Sequence, residues 1–143
     1  MKRALIILFL AVLSALPFGG CETNKGEIIP YVRVDIYQHI LSPPVVYLGD
    51  GESAQINGGY KGIIIYRESD LNYQAYDRTC TMWPDHSAAV IKDTVFEGVY
   101  KCPECESQYL LINEGQALNG PARYPLVRYK TSISGNDILH IYN

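Results

Sequence analysis

The chain has 143 residues, with 12 Lys and Arg against 15 Asp and Glu, 4 cysteines, 12 tyrosines and a formal net charge of −3. A chain of this length forms one domain with one modest core and has no room for a separate catalytic lobe. The acidic balance argues against nucleic acid and anionic membrane surfaces as partners.

The N-terminal segment has the pattern of an export signal. Met1-Lys-Arg3 is a basic start, residues 4–16 are an apolar run, and Pro17-Phe-Gly-Gly-Cys21 ends it. Small residues followed by a cysteine predict a lipoprotein signal peptide over residues 1–20, with Cys21 as the lipid-bearing first mature residue. An ordinary signal with a chance cysteine and an anchor helix are the alternatives. Removing Lys2 and Arg3 leaves 10 basic against 15 acidic residues, a net charge of −5.

This segment sets the expected location of the protein. We expect export to the bacterial cell envelope and attachment to the outer membrane, with membrane lipid as a partner through Cys21 and an envelope protein as a second partner. Residues 21–27 form a short lipidated tether, and residues 28–143 form the folded domain.

Strand patterns dominate the rest of the chain. Residues 31–36 alternate in polarity, residues 62–66 form a β-branched run typical of a buried central strand, and residues 71–77 are placed to pair with it. Pro43-Pro44 predicts a bend before a strand at 45–48. Further short strands are predicted at 90–91, 95–100, 109–112, 126–130 and 138–142, and no segment keeps a helical period for three turns. The prediction is an all-β, antiparallel small sandwich or partly closed barrel.

The most chemically specific stretch is Cys102-Pro-Glu-Cys-Glu-Ser-Gln-Tyr109. Two thiols three positions apart on a stiff turn can point at one centre, as in metal knuckles and redox loops. Strand patterns on both sides place this turn on a loop between two β-strands. No nucleophile–base pair, paired-carboxylate motif or phosphate-binding glycine loop accompanies it, so the sequence predicts no enzyme.

Three segments resemble Rieske 2Fe-2S domains. Cys102-Pro-x-x-x-Ser-Gln-Tyr109 resembles their second cluster-binding box, and Asn119-Gly-Pro-Ala-x-x-Pro-Leu126 resembles the segment behind it. Ala75-Tyr-Asp-Arg-Thr-Cys-Thr81 resembles the start of the first box. The resemblance covers residues 28–143 and implies a base of antiparallel strands with a smaller, loop-rich lobe, in which Cys80, Cys102 and Cys105 lie together at the former cluster site.

The ligand positions depart from that family. A Rieske cluster has two thiolates on one iron and two imidazoles on the other. Cys80 and Cys102 occupy the thiolate positions, but Met82 and Cys105 stand where the family has histidines. A thioether is a weak ligand and a third thiolate adds negative charge, so these residues do not support the standard cluster.

Three interpretations of the thiols remain open. One is a zinc-type site of Cys80, Cys102, Cys105 and His86, which lies six residues after Cys80. Another is a disulfide between Cys80 and one of the later pair. The third is an inert loop that persists after the ligands were replaced. Three functions are therefore considered. The first is a non-redox accessory or binding module, the second is a metal-binding module, and the third is electron transfer through an unusually ligated 2Fe-2S cluster. No cofactor is certain, and zinc is favoured over the cluster.

Overall fold

The computed structural model describes residues 28–135 and 137–143. The predicted signal peptide, the lipidation site Cys21 and the tether at 21–27 lie outside the described residues. Within the described ranges, no helix has both the length and the apolar character that a bilayer crossing requires. The described residues form two 3-10 turns, Val45–Tyr47 and Leu111–Asn113. They also form ten strands: β1 Asp35–His39, β2 Ser53–Ile56, β3 Ile63–Ser69, β4 Asn72–Asp77, β5 Ile91–Lys92, β6 Val99–Lys101, β7 Gln108–Leu110, β8 Gln116–Asn119, β9 Arg128–Ser134 and β10 Ile138–Tyr142.

The strands form two antiparallel sheets. A six-stranded sheet in the order β1-β10-β9-β4-β3-β2 curls into a half-barrel, and we call it the base. A four-stranded sheet in the order β5-β6-β7-β8 comes from the chain between β4 and β9. We call residues 78–127, which contain this sheet and the cysteine loops, the lobe. The all-β antiparallel prediction is confirmed.

Strand β3 lies between two hydrophobic cores and contributes side chains to both. Its residues point alternately to either side, so Ile63 and Ile65 enter the base core while Ile64 and Tyr66 enter the lobe core. A strand buried on both faces is apolar at successive positions, which explains the unbroken β-branched run in the sequence. The predicted pairing of 62–66 with 71–77 is confirmed by the register of β3 and β4.

Of the two predicted N-terminal strands, one is misplaced and the other is wrong. The strand expected at 31–36 begins only at Asp35, because its partner β10 ends at Tyr142 and the side chain of Asn143 bonds Val34 N and Val32 O at 3.2 and 2.8 Å instead. The strand expected at 45–48 is a 3-10 turn with the local bond Leu48 N to Val45 O at 3.0 Å. Proline removes a ladder donor just before this segment, and only the predicted bend is found there.

Two more strand boundaries, one in the lobe and one in the base, also differ from the prediction. The segment expected as a strand at 95–100 forms one only at Val99–Lys101, since the Asp93 carboxylate accepts hydrogen bonds from Val95 N and Phe96 N at 2.7 and 3.0 Å and holds a turn. The strand expected at 126–130 starts at Arg128.

Candidate metal centre

The first loop of the centre leaves the base at a fully buried carboxylate. Asp77, at the end of β4, accepts hydrogen bonds from Tyr60 N at 2.6 Å, Tyr129 Oη at 2.7 Å and Thr79 N at 2.9 Å. A buried carboxylate bound by several donors fixes its surroundings, because breaking any of these bonds leaves charge unpaired. Cys80 is therefore held at a fixed point just beyond the strand.

The second loop is the hairpin turn between β6 and β7. Cys102 N donates to Ser107 O at 2.8 Å, and Glu106 N donates to Cys102 O at 2.9 Å. Glu106 takes the left-handed conformation, with φ of 61°, that closes this short turn. Both Cys102 and Cys105 lie on it, as predicted for a loop between two strands.

The two loops bring four metal-binding side chains together. The sulfurs of Cys80 and Cys105 are 3.5 Å apart, and Cys102 Sγ is 3.4 Å from His86 Nδ1. One donor atom from each of the four residues lies within 4.8 Å of every other. These are the four residues that the sequence predicted as metal ligands; the structure brings them together, and their binding of an ion stays a prediction.

The spacing fits one tetrahedral ion. With zinc–sulfur bonds of about 2.3 Å at tetrahedral angles, the sulfurs on one zinc lie roughly 3.8 Å apart. The sulfurs of Cys80 and Cys105 are close to that separation at 3.5 Å, and all four donor atoms lie within 4.8 Å of one another. Ligands on opposite irons of a 2Fe-2S cluster lie further apart, because the metal–metal distance adds to their separation. The arrangement is therefore tighter than a dinuclear cluster needs.

Burial distinguishes the thiols. Cys80 and Cys102 are fully buried, while Cys105 is partly exposed, and all three are free in the structure. Burial raises the pKa of the Cys102 thiol to about 12. Burial opposes ionisation of Cys105 most strongly, but hydrogen bonds from Ser107, Cys80 and Cys102 together outweigh it and lower the pKa of that thiol. Binding an ion must release the Cys102 proton, so affinity should weaken as the pH falls.

Two hydroxyl groups contact the sulfurs. Ser107 Oγ lies 3.1 Å from Cys105 Sγ and accepts a bond from Ala122 N at 3.0 Å, which leaves the hydroxyl proton for the sulfur. The phenol of Tyr109 lies 3.4 Å from Cys80 Sγ and accepts a bond from Thr81 N at 3.1 Å. Burial is the main cause that raises the pKa of Tyr109, so the phenol keeps its proton, for which Cys80 Sγ and Thr81 Oγ1, 3.2 Å away, are both acceptors.

A glycine allows the backbone to approach this hydroxyl. Gly120 has φ of +89°, and a Cβ there would come within 2.6 Å of Ser107 Cα. Only glycine lets the segment that carries Ala122 pack directly against Ser107. This close approach gives a physical role to the Asn119-Gly-Pro-Ala122 motif.

Sequence reasoning assigned no role to Ser107 or Tyr109. Both side chains are buried, and they lie two residues apart beside the partly exposed Gln108. That period-two pattern after Cys105 is the signal that could have placed both hydroxyls on the sulfur side of β7. Met82, at one former histidine position, packs against the lobe core.

Comparisons with solved structures find similar chains. A chain of the complex of reduced oxygenase and oxidized ferredoxin in carbazole 1,9a-dioxygenase matches with a TM-score of 0.50 and 16% identity over 74% of this chain and 93% of its own. The ferredoxin of carbazole 1,9a-dioxygenase from Nocardioides aromaticivorans matches at 0.49 and 17%, over 79% and 100%. No family model and no curated protein matches the sequence. The likeness to the first of these structures confirms a Rieske-like fold.

Proposed function

We propose that this domain is a non-redox, metal-binding module in which Cys80, Cys102, Cys105 and His86 hold a single zinc ion. The observation that carries the proposal is the convergence of one donor atom from each residue within 4.8 Å. Three sulfurs and one imidazole form a donor set typical of structural zinc sites. Soft thiolates disfavour magnesium and calcium, which prefer oxygen ligands.

The role of the ion in this proposal is structural. Four protein donors fill a tetrahedral zinc shell and leave no position for water or substrate, which is the arrangement of structural rather than catalytic zinc. The lobe strands are only two to four residues long, so few ladder hydrogen bonds hold the lobe together. An ion that binds both the loop after β4 and the β6–β7 turn would cross-link these two segments and stabilise the lobe.

Elemental analysis of the full chain, purified in detergent without added metal, tests this function. We expect about one zinc per chain and a colourless protein, because zinc has a filled d shell. A brown protein with iron and inorganic sulfide would contradict the proposal and support the alternative below. If the protein contains no metal and Cys80, Cys102 and Cys105 are all free thiols, the proposal is contradicted and the inert-loop interpretation remains.

Electron transfer through a 2Fe-2S cluster is the second candidate. Its support is the Rieske-like fold and the two hydroxyls at Cys105 and Cys80, since hydrogen bonds to sulfur ligands tune the potential of such clusters. The donor group would have to expand to take two irons. Zinc remains the better match because the present separations need no such expansion.

We also propose that the protein is a lipoprotein of the bacterial cell envelope, anchored in the outer membrane through Cys21, and that an envelope protein is its partner. Support comes from the basic start, the apolar run and the Gly-Gly-Cys end of the signal. Several acyl chains on one cysteine anchor stably, because each buried methylene adds about 0.8 kcal/mol.

Membrane fractionation tests the anchor. Cys21→Ser should yield a soluble or unprocessed chain, whereas the wild-type protein should sediment with membranes. A Cys21→Ser variant that is cleaved and still fractionates like wild type would show that the lipid anchor is wrong.

A further inference from the structure

The His86 loop has little structure of its own. Residues 82–89 contain no helix or strand, and the local backbone bond is His86 N to Trp83 O at 3.0 Å. The three thiols, in contrast, follow a base strand or lie on a closed hairpin turn. Contacts with other parts of the chain must therefore set the position of the imidazole.

Glu104 provides such a contact from the turn that carries two of the thiols. Its Oε1 accepts a hydrogen bond from Ala88 N at 2.7 Å and another from Ser87 Oγ at 3.0 Å. Ser87 and Ala88 directly follow His86 in the chain. Bonds to a carboxylate are stronger than bonds between neutral groups, so this contact is an effective tie between the loops.

A second tie holds the loop on the other side of the histidine. Lys61 Nζ, from the segment just before β3, donates to Pro84 O at 2.8 Å. His86 thus lies between two residues that are held by contacts, Pro84 two positions before it and Ser87 directly after it. Fixing a ligand in its bound geometry before the ion arrives reduces the entropy that binding would otherwise lose.

We propose that Glu104 is a positioning residue that latches the His86 loop onto the Cys102–Cys105 turn and thereby keeps the imidazole in the metal's coordination shell. This inference rests on the proposed function. The one turn would then supply two ligands and also hold a third in place. Without the latch, three thiolates keep the ion while water competes with the imidazole for the fourth position.

Metal affinity and ligand-field spectra of the full chain test the latch. Glu104→Ala should lower zinc affinity about 10- to 100-fold, the usual effect of losing a residue that orients a ligand. The visible d–d bands of the cobalt-loaded variant should shift as nitrogen is exchanged for water. Glu104→Gln retains an oxygen acceptor and should restore the wild-type spectrum and most of the affinity.

Glu106→Ala is the matched control. Glu106 lies on the same turn and carries the same charge, but its carboxylate pairs with Lys101 at 3.1 Å and not with the His86 loop. It should keep the wild-type cobalt spectrum. In a His86→Ala background, Glu104→Ala should cause no further loss of affinity, because the latch acts through the imidazole.

Amide exchange gives a readout that does not need the metal. In the metal-free chain, Glu104→Ala should speed hydrogen exchange at Ala88 N, and unchanged exchange would overturn the latch. A chain that binds zinc but shows the same affinity in Glu104→Ala and Glu106→Ala would overturn the latch alone. A wild-type chain that binds no zinc would overturn the proposed function and the latch together.

Discussion

The base and the lobe of this domain differ in the length of their strands and in the side chains of their cores. The base has strands of four to seven residues around a core of valine, isoleucine, leucine, alanine and tyrosine side chains. The lobe has strands of two to four residues, and its core includes the thiols of Cys80 and Cys102. Burial of apolar side chains in its core stabilises the base, as in most globular domains. Apolar side chains are buried in the lobe as well, and in the proposed function an ion held by its sulfurs adds to their contribution.

The largest expected effect is the loss of a thiolate ligand. Cys102→Ser should abolish zinc binding and lower stability by about 5 kcal/mol or more, because binding free energy at a structural zinc site contributes directly to folding. Amides of β6 and β7 should lose protection from hydrogen exchange, while those of β9 and β10 keep it. Zinc content and residue-resolved exchange measure both effects.

A chelator provides the control for that variant. Treating the wild type with a strong chelator should reproduce the loss of lobe protection, and a reductant should have no effect. If the reductant destabilises the protein by roughly 2 to 4 kcal/mol and the chelator does nothing, Cys80 is disulfide-linked to one of the later cysteines instead.

A cavity in the base should give the opposite pattern. Ile141 is fully buried in the base core, and Ile141→Ala should cost about 2 to 5 kcal/mol through lost burial and the cavity left behind. Denaturant unfolding measures the loss, and zinc per chain should remain at the wild-type level. A loss of zinc from the folded variant would show that base and lobe are more strongly coupled than we infer.

A smaller effect is expected from one hydroxyl beside the sulfurs. Tyr109→Phe removes the partner of Thr81 N and the contact to Cys80, and should cost about 1 to 3 kcal/mol with a shift in the sulfur-to-cobalt bands. Tyr100→Phe is the matched control, since its hydroxyl bonds Ser53 Oγ at 3.1 Å, away from the thiols. Equal cobalt spectra in the two variants would contradict a role for Tyr109 at the sulfurs.

The smallest effect concerns alkaline pH. Burial raises the pKa of Tyr76 to about 12, and the hydroxyl donates to Gln74 Oε1, with Leu111 O 3.1 Å away as a second acceptor. Above the unfolded-state pKa of about 10 the unfolded chain loses this proton first, so stability should fall as pH rises from about 10 to 12. Tyr76→Phe should make unfolding free energy less dependent on pH in that window. An unchanged slope would mean that another group titrates there.

The sequence predicted the inner strands of the base better than its edge strands or the lobe strands. The run at 62–66 and the strand at 138–142 were correct because burial on one or both faces imposes a strong local pattern. Strand β2 was missed because Ser53-Ala-Gln-Ile56 alternates weakly. The lobe strands were placed less accurately because their boundaries depend on side-chain bonds, such as those of Asp93, that a hydrophobic pattern does not contain.

The four residues of the candidate site were predicted from the sequence, but the residues that contact and position them were not. Cysteine spacing and the nearby His86 pointed to the four donors in one of the three interpretations of the thiols. Glu104, Ser107 and Tyr109 act through contacts between segments distant in sequence or through the direction of a short strand. Such roles become visible only when the loops are placed in space.

X-ray absorption at the zinc edge tests the central claim most directly, because it measures the ligands of the bound ion in the full chain. We predict three sulfurs at about 2.3 Å and one nitrogen at about 2.0 to 2.1 Å, with no second metal nearby. In His86→Ala the nitrogen from imidazole should disappear while the three sulfurs remain. A purified chain that instead contains iron with a neighbouring iron, or that carries no metal, would contradict the account.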